Sequence, residues 1–307
     1  MQPGPANADA LTGLRMASPE DYPEYARALA ASRPSGSSYF LAGLLAYQRP
    51  GSREILLGED NGSVCIYRLE PGGERPRLEI YLAPTPMDPR VMRRCVERAN
   101  DFNGDRSARV LRIDAADAEA AAEAGLRLRK RREQLVFAPE KYRELAGKEL
   151  YTIRRNVSRV QKLEDLEVQT YTPEYRKACR ALLERWRTIH REQHGSAGGY
   201  GSSKRVIELA GRLPEEALTG QVILLAGKLV AFSFGGSIHP GMACSFERKC
   251  DNEVAGLTYF QLRSFLLHLG GYDRVNDGSD AGRSGLQQLK QSFRPVAMHP
   301  EYRGYQD

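Results

Sequence analysis

The alternation of apolar and polar residues along the chain predicts a mixed α/β protein. The first half begins with short helical stretches and continues with three strand-like runs separated by turn residues, the pattern of an antiparallel meander. These runs are residues 54–57, 63–69 and 77–82, with Asp60-Asn61-Gly62 and Pro71-Gly72-Gly73 between them. A helix, a strand, an alanine-rich helix and a long basic strand follow, at residues 88–102, 108–113, 115–124 and 126–137.

The second half repeats this order after a linker near residues 141–148. Its predicted meander consists of strands at residues 221–226, 229–237 and 242–249. A helix at 257–269, a strand at 272–276 and a helix at 283–293 follow. A meander followed by helix, strand and helix is the element order of the acyltransferase fold called GNAT. We therefore predict an α/β (α+β) protein of tandem GNAT-like acyltransferase domains, with mixed sheets flanked by helices, in residues 1–145 and 146–307.

The stretch YDRVNDGSDAGRSGLQQLKQSFRP, residues 272–295, combines a strand, a glycine-containing turn and a short helix. Such a junction places backbone N–H groups and the positive end of a helix dipole at the carboxyl edge of a sheet, where α/β folds bind ligands. Asp280 and Lys290 are expected near that edge. The alternative is that Ser279, Asp280 or Ser284 only caps the helix and Lys290 is solvated.

Composition limits the possible classes of protein. The hydrophobic fraction of 41% and the charged fraction of 27% are those of a globular protein, and no apolar run is long enough to cross a bilayer. No secretory signal is visible, so a cytoplasmic location is expected. The five cysteines show no CxxC spacing and the histidines no metal-ligand spacing, so we expect neither disulfides nor a metal. The net charge of +6 favours a polyanionic partner.

Three segments of the second half resemble the phosphatidylglycerol lysyltransferase C-terminal domain family, a GNAT-like group related to the Fem-type aminoacyl transferases. They are LYTIRRNVSRVQK at 150–162, SFERKC at 245–250 and VNDGSDAGRSGLQQLKQSFRP at 275–295. The last is the most specific, through an Asn, an acidic residue, two glycines, Leu, Lys, a Ser-aromatic pair and Pro. Membrane-embedded members of the family carry spanning helices ahead of this module, and this sequence shows none.

The resemblance implies a transferase that moves an aminoacyl group from aminoacyl-tRNA to an amine or hydroxyl of a small-molecule acceptor, including a lipid headgroup. No further cofactor is implied. Two basic tracts could contact a phosphate backbone, one on a predicted helix and one on a predicted strand. The candidate nucleic-acid-binding residues are Arg154, Arg155, Arg159, Arg129, Lys130 and Arg131. The alternatives are a solvated helix face and a protected edge strand.

Aminolysis of an ester needs a neutral, oriented acceptor and hydrogen-bond donors for the oxyanion, but no covalent nucleophile. Glu247 and Asp280 are the candidate bases, and Tyr259 and Ser279 are candidates for the oxyanion or the leaving ribose hydroxyl. Glu247 could instead pair with Arg248 or Lys249 on a polar sheet face. The candidate substrate-binding residues are Asn276, Gly282, Gly285, Lys290 and Trp186, although a single Trp in a helix can equally belong to the core.

Two other functions remain open. The first is an acyl-CoA-dependent GNAT N-acyltransferase, since most of this fold class uses acyl-CoA. Those enzymes bind the pyrophosphate with a Gln/Arg-x-x-Gly-x-Gly/Ala loop, and the corresponding stretch CDNEVAGLTY, residues 250–259, contains only one glycine, Gly256. The second is a non-catalytic module that binds tRNA or another partner.

Overall fold

The structure, a computed structural model, describes residues 9–71, 75–195, 198–280 and 282–306. The chain divides into two compact units: Met1–Glu133 with His299–Asp307 form unit 1, and Gln134–Met298 form unit 2. These units differ from the expected halves, 1–145 and 146–307, because the chain leaves unit 1 earlier and returns to it near its end. The predicted turn residues Gly72 and Gly73 lie outside the described residues.

Unit 1 is a mixed sheet flanked by helices. Its elements are β1 (Arg15–Met16), α1 (Tyr22–Ser32), α2 (Leu41–Tyr47), β2 (Glu54–Asp60), β3 (Ser63–Glu70), β4 (Arg77–Thr85), α3 (Pro89–Asn103), β5 (Arg109–Asp114) and α4 (Ala118–Glu123). Strands β2, β3 and β4 form the predicted antiparallel meander, and β5 lies parallel to β4. The core of unit 1 lies between the sheet and α3, whose Val91, Met92, Cys95 and Ala99 are buried at helical spacing.

Unit 2 repeats this arrangement. After β6 (Arg127–Phe137), its elements are α5 (Tyr151–Gln161), β7 (Leu166–Thr170), α6 (Arg176–His194), α7 (Tyr200–Leu209), β8 (Thr219–Leu225), β9 (Lys228–His239), β10 (Met242–Cys250), α8 (Leu257–His268), β11 (Arg274–Asn276) and α9 (Ser284–Ser292). Strands β8, β9 and β10 are antiparallel neighbours, and β11 lies parallel to β10. No helix in the described ranges is both long and apolar enough to cross a membrane.

A last strand, β12 (Ala297–Tyr305), was not expected from the sequence. Its residues 301–305 pair antiparallel with β5 and so complete the sheet of unit 1. The end of β6, which we expected to close the first domain, pairs instead with β11 of unit 2 through Phe137 and Val136. Each unit therefore takes one strand from a distant part of the sequence.

The core of unit 2 is closed by an aromatic cluster. The ring centroids of Phe137 and Tyr142 lie 6.0 Å apart, and those of Tyr142 and Phe293 lie 5.5 Å apart. The Tyr142 hydroxyl donates a hydrogen bond of 2.8 Å to the Phe293 carbonyl, so the end of α9 is bonded to the segment that follows β6. Tyr142 and Phe293 are fully buried, and they hold α9 on the sheet.

A β-bulge in β10 sets the direction of its polar side chains. Ser245 lies opposite Gly235 of β9 and Glu247 lies opposite Phe234, so Phe246 is one extra residue on β10. Side chains of a regular strand alternate between faces, and the extra residue reverses that alternation for the rest of the strand. Residues 245 and 248 consequently share one face, as shown by the 2.5 Å hydrogen bond that Arg248 donates to the Ser245 hydroxyl.

Gly235 is expected to be required at this bulge. A Cβ at Gly235 would lie 2.1 Å from the Cys244 carbonyl oxygen, which is a backbone atom that cannot move without disturbing the strand pair. Gly235→Ala should lower the free energy of unfolding by about 2–3 kcal/mol, measured by urea denaturation. Gly271→Ala is the control, because a Cβ there meets no atom within 4 Å. Equal stability of the two variants would contradict the tight approach.

Candidate active site

The candidate site lies where the parallel strands β10 and β11 end. Their pairing runs from Met242 opposite Arg274 to Cys244 opposite Asn276, and beyond it both strands continue into polar residues. Ligands of open α/β sheets bind outside the carboxyl ends of parallel strands. Most of the polar candidates from the second half of the sequence lie here, on β10 or in the loop between β11 and α9.

Glu247 is 8% exposed and forms hydrogen bonds through both of its carboxylate oxygens. Oε1 accepts a 2.8 Å hydrogen bond from the Ser202 hydroxyl, and Oε2 accepts one of the same length from Ser203. The Lys249 ammonium also donates to Oε2 at 2.8 Å. Of the two pairings considered from the sequence, Glu247 therefore forms the one with Lys249. We call Glu247, Lys249, Ser202, Ser203 and Trp186 the Glu247 site.

Trp186 connects this site to a pocket. The Lys249 nitrogen lies 4.6 Å from the centroid of the Trp186 ring, and the His190 ring stacks on Trp186 at 4.6 Å. The pocket has a volume of about 140 Å³ and lies between one face of α6 and the loop after β10. It is lined by Leu182, Arg185, Trp186, Ile189, His190, Gln193, Lys228, Cys250, Asp251, Asn252 and Glu253. Trp186 is partly buried and forms part of the pocket wall.

A second group of charges lies on the other face of β10. The Arg248 guanidinium contacts both carboxylate oxygens of Asp277, one of them at 3.0 Å, and the Asp277 side chain is fully buried. The Lys290 ammonium is 3.1 Å from the same carboxylate. It also donates to the backbone carbonyls of Asp277 and Ser279, the latter at 2.9 Å. We call Arg248, Asp277 and Lys290 the Asp277 cluster.

The Asp277 cluster is ionised at neutral pH. Burial disfavours the charged form of Asp277, but the charges of Arg248 and Lys290 outweigh it and lower the pKa to about 2. Burial lowers the pKa of Lys290, and the Asp277 charge opposes that effect. Because the Lys290 ammonium has three N–H donors and three acceptors in this cluster, it holds the loop in place. Its predicted contact with substrate stays a prediction.

The loop between β11 and α9 is built by short-range hydrogen bonds. Asn276 is fully buried, donates a 2.7 Å hydrogen bond to the Gln134 side chain and accepts one of 2.8 Å from the Gly278 amide. Asp280 is partly exposed, and its carboxylate accepts a 2.9 Å hydrogen bond from the Gly282 amide. This is the turn geometry in which an Asp side chain stabilises its own loop. The catalytic roles predicted for Asp280 and Ser279 remain predictions.

Gly282 and Gly285, the two glycines predicted to bind substrate, both have open space around them. Gly282 has a positive φ of 71°, which favours glycine, but a Cβ there would meet no atom within 4 Å. Gly285 is exposed in the first turn of α9, also with open space around it. Neither glycine marks a close backbone approach within the described residues. Tyr259 of α8 stacks on Phe293 at 6.2 Å and packs against the core of unit 2.

The basic helix α5 presents two of its three candidate arginines to solvent. Its buried residues Ile153, Val157 and Val160 face the core, and Arg155 and Arg159 are exposed on the opposite side. In the described part of the chain, neither arginine forms an ion pair or a side-chain hydrogen bond. Arg154 differs, because its guanidinium donates to the carbonyls of Leu145 and Gly147 at 2.5 and 3.1 Å.

The basic strand β6 places its candidates in unit 1. Arg129 lies 5.3 Å from the ring centroid of Tyr305, and Lys130 pairs with Glu133 at 2.5 Å. Arg131 pairs at 2.6 Å with the buried Glu301. The strand therefore carries two exposed cations, Arg129 and Lys130, and one cation, Arg131, that is paired with a buried carboxylate.

The sequence analysis missed Asp277, Ser202 and Ser203. Asp277 stands in an Asp-Gly pair, which was interpreted only as turn chemistry, although it directly follows a strand. Ser202 and Ser203 stand in the first turn of α7, where serine is common. The segment SFERKC contained the signal for Arg248 and Lys249, but the shared face of Ser245 and Arg248 depends on the bulge at Phe246, which the sequence does not reveal.

A family model described as phosphatidylglycerol lysyltransferase, C-terminal, matches residues 35–305. A conserved protein of unknown function from Bacteroides thetaiotaomicron has a similar structure, with 20% identity, a TM-score of 0.78 and coverage of 96% of this chain and 99% of that chain. L-PGS from Bacillus licheniformis is similar with 16% identity, a TM-score of 0.69 and coverage of 95% and 93%. FemX is similar with 9% identity, a TM-score of 0.63 and coverage of 94% and 96%.

These likenesses confirm the predicted fold class, since each extends over both units of the chain. A search of curated protein sequences finds no match.

Asp277→Asn should destabilise the protein in a pH-dependent manner. At pH 7 the change leaves Arg248 and Lys290 buried without their counter-charge, so the free energy of unfolding should fall by about 3–5 kcal/mol. The native pKa of about 2 lies below the ordinary value for aspartate. The contribution of Asp277 is therefore present above about pH 4 and lost as the pH falls from about 4 to about 2. Urea denaturation across this range measures the difference.

Asp280→Asn is the matched control, because its partly exposed side chain can form the same turn as an amide. It should change stability by no more than about 0.5 kcal/mol. A difference between wild type and Asp277→Asn that stays constant down to pH 2 would show that the Asp277 charge does not stabilise the fold.

Proposed function

Because the chain belongs to the phosphatidylglycerol lysyltransferase C-terminal domain family, whose named activity is that of a transferase, we propose that it is an aminoacyltransferase. It takes the aminoacyl group from charged tRNA and transfers it to an amine or hydroxyl of a small-molecule acceptor, including a lipid headgroup. The supply of charged tRNA makes a cytoplasmic location part of the proposal. The FemX-like and L-PGS-like fold supports this class of enzyme.

The observation that carries the proposal is the position of Glu247. Its carboxylate is buried directly after the bulge in β10 and is held by Ser202, Ser203 and Lys249. Lys249 in turn lies over Trp186, which lines the pocket. Glu247 and Lys249 are therefore fixed beside a pocket at the carboxyl end of a parallel strand. The carboxylate can accept a proton and the ammonium supplies a positive charge, so no covalent nucleophile is needed.

The proposed reaction is the aminolysis or alcoholysis of an ester. The acceptor nitrogen or oxygen attacks the carbonyl carbon of the aminoacyl ester, so that the new bond forms as the bond to the ribose oxygen breaks. The acceptor proton passes to Oε1 of Glu247, which accepts a hydrogen bond from Ser202 and keeps a second lone pair. Glu247 then returns that proton to the ribose oxygen, which leaves as a hydroxyl, and the carboxylate is restored. Lys249 stabilises the negative charge that develops on the carbonyl oxygen.

The exposed arginines of α5 support a nucleic acid as the donor. Arg155 and Arg159 are four residues apart on one helix face, so their guanidinium groups can follow a phosphate backbone. Arg129 adds an exposed cation in unit 1. The tandem fold alone does not distinguish tRNA from acyl-CoA.

The loop after β10 argues against acyl-CoA. A CoA pyrophosphate would require backbone amides and cations at the start of α8, but the loop carries the carboxylates of Asp251 and Glu253, which line the pocket. Gly256, at the start of α8, is in close contact with α5, because a Cβ there would lie 2.9 Å from the Asn156 carbonyl oxygen. The two carboxylates oppose the binding of a dianionic phosphate group. The contact of Gly256 with α5 also opposes it, because it obstructs the first turn of α8.

Glu247→Gln should fold normally and lose at least about a hundredfold in the rate of transfer, because the amide keeps the serine contacts but accepts a proton poorly. The measurement is transfer of a radiolabelled amino acid from tRNA to an amine or hydroxyl acceptor, with circular dichroism as the folding check. Glu208→Gln is the control, since Glu208 forms a surface pair with Arg180. Full activity of Glu247→Gln would remove Glu247 from the reaction. Retained tRNA binding with no transfer by the wild type would favour the binding module.

The double change Arg155→Glu and Arg159→Glu should weaken tRNA binding and its salt dependence. Each lost phosphate contact lowers the slope of log affinity against log salt by about 0.7–0.9, so the slope should fall by roughly 1.5 or more. Filter binding from low to high salt gives both slopes. Arg212→Glu, an exposed change in the same unit, is the control.

Affinity that is the same at all salt concentrations would refute the tRNA proposal. Calorimetric titration with acetyl-CoA completes the test. Stoichiometric binding that is lost on substitution of residues 251–256 would establish the acyl-CoA enzyme instead.

A further inference from the structure

Unit 1 contains a cluster of cations that the transfer reaction does not use. Three arginines, Arg112 on β5 and Arg131 and Arg132 on β6, lie around one buried carboxylate, Glu301 on β12. We call these four residues the arginine cluster. Every one of them belongs to unit 1, whereas the residues of the Glu247 site belong to unit 2.

Two of the arginines are held by Glu301. Arg131 donates to its carboxylate at 2.6 Å, and Arg132 donates to both of its oxygens at 2.8 and 3.2 Å. Arg132 also donates to the Ser38 hydroxyl at 3.0 Å, and that hydroxyl donates to Glu301. The Glu301 side chain is 3% exposed, whereas those of Arg131 and Arg132 are 28% and 29% exposed. The anion is therefore enclosed while parts of both cations reach solvent.

Arg112 is the third cation and has no such partner. Its guanidinium carbon lies 4.0 Å from the centroid of the Tyr81 ring, so the group is stacked on an aromatic face and fixed in position. In the ranges that the structure describes, no carboxylate pairs with Arg112 and no group accepts a hydrogen bond from it. The N–H donors of this partly buried guanidinium therefore have no acceptor among the described residues.

The charges of this cluster do not cancel. Burial lowers the pKa of Arg131, and the charges of Arg132 and Arg112 lower it further, which shows that the three cations are close to one another. The nearby Asp114 does not neutralise them by direct contact, because its carboxylate accepts hydrogen bonds from the amides of Ser35, Gly36 and Ala116 and is paired with His299 at 3.0 Å. One enclosed carboxylate faces three guanidinium groups, which leaves an excess of positive charge.

We propose that Arg112, Arg131 and Arg132 form a binding site for the phosphate group of a small molecule. A planar guanidinium donates two parallel hydrogen bonds to phosphate oxygens, and Arg112 is stacked in a fixed orientation with its donors unused. The Arg131 and Arg132 groups supply the remaining positive charge, and Glu301 and Ser38 hold Arg132 in place. The phosphate is either free in solution or part of a headgroup such as glycerol phosphate.

Calorimetric titration of the full-length protein with inorganic phosphate and with sn-glycerol 3-phosphate, at constant ionic strength in chloride, tests the site. Saturable binding is expected for at least one of them, and Arg112→Gln should weaken it by about tenfold or more. Arg112→Lys keeps the charge but loses the planar pair of donors, so its affinity should lie between those of the wild type and Arg112→Gln. Tighter binding of glycerol phosphate identifies a headgroup, and equal binding identifies free phosphate.

Arg106→Gln is the matched control, because it removes one exposed positive charge from the same unit. Two results would overturn the proposal: the absence of saturable binding of both probes, and an equal loss of affinity in Arg106→Gln and Arg112→Gln.

A measurement on the wild type covers the case in which Arg112→Gln does not fold. Phenylglyoxal modifies arginines whose donors are accessible, and mass spectrometry locates the adducts. Phosphate should protect Arg112 from modification and leave Arg106 unprotected. Equal modification of Arg112 with and without phosphate would also overturn the proposal.

Discussion

The buried carboxylate of Asp277 is the constraint on which the candidate site depends. It faces Arg248 from β10 and Lys290 from α9, so one negative charge connects a strand, a loop and a helix. Removing this carboxylate leaves two buried cations without compensation, which makes the contact costly to break. Lys290 also donates to the carbonyls of Asp277 and Ser279, so it holds the first residues of the loop after β11.

The bulge at Phe246 brings Ser245 and Arg248 to the same face of β10, opposite Glu247 and Lys249. Arg248 turns towards Asp277 and stabilises the fold, while Glu247 and Lys249 turn towards α6 and α7. Without the extra residue, Ser245 and Glu247 would share a face, and Ser245 could not accept a hydrogen bond from Arg248. The site therefore depends on Gly235 opposite the bulge, where only a residue without a side chain fits.

Local patterns in the sequence were sufficient to predict most helices and strands. They were insufficient to predict which elements pair when those elements are distant in sequence. The meanders, the crossing helices and the helix of residues 284–292 follow from periodicity and turn residues, and the structure contains them. The strand Ala297–Tyr305 was missed because it contains Pro and Gly and alternates weakly, and its partner β5 lies far away in the sequence. For the same reason, Asp280 was chosen over Asp277: both are acidic residues in one turn, and only the tertiary contacts with Arg248 and Lys290 distinguish them.

The pairing of strands that are distant in sequence affects the order in which the two units are completed during synthesis. During synthesis on the ribosome, unit 2 has all of its strands once residue 276 has emerged, whereas unit 1 still lacks β12. The edge of β5 must remain unpaired until residues 301–305 appear, and an unpaired edge can associate with other nascent chains. Most of unit 1 thus precedes unit 2 in the chain but is completed after it, and termination before residue 301 would leave unit 1 with an open sheet.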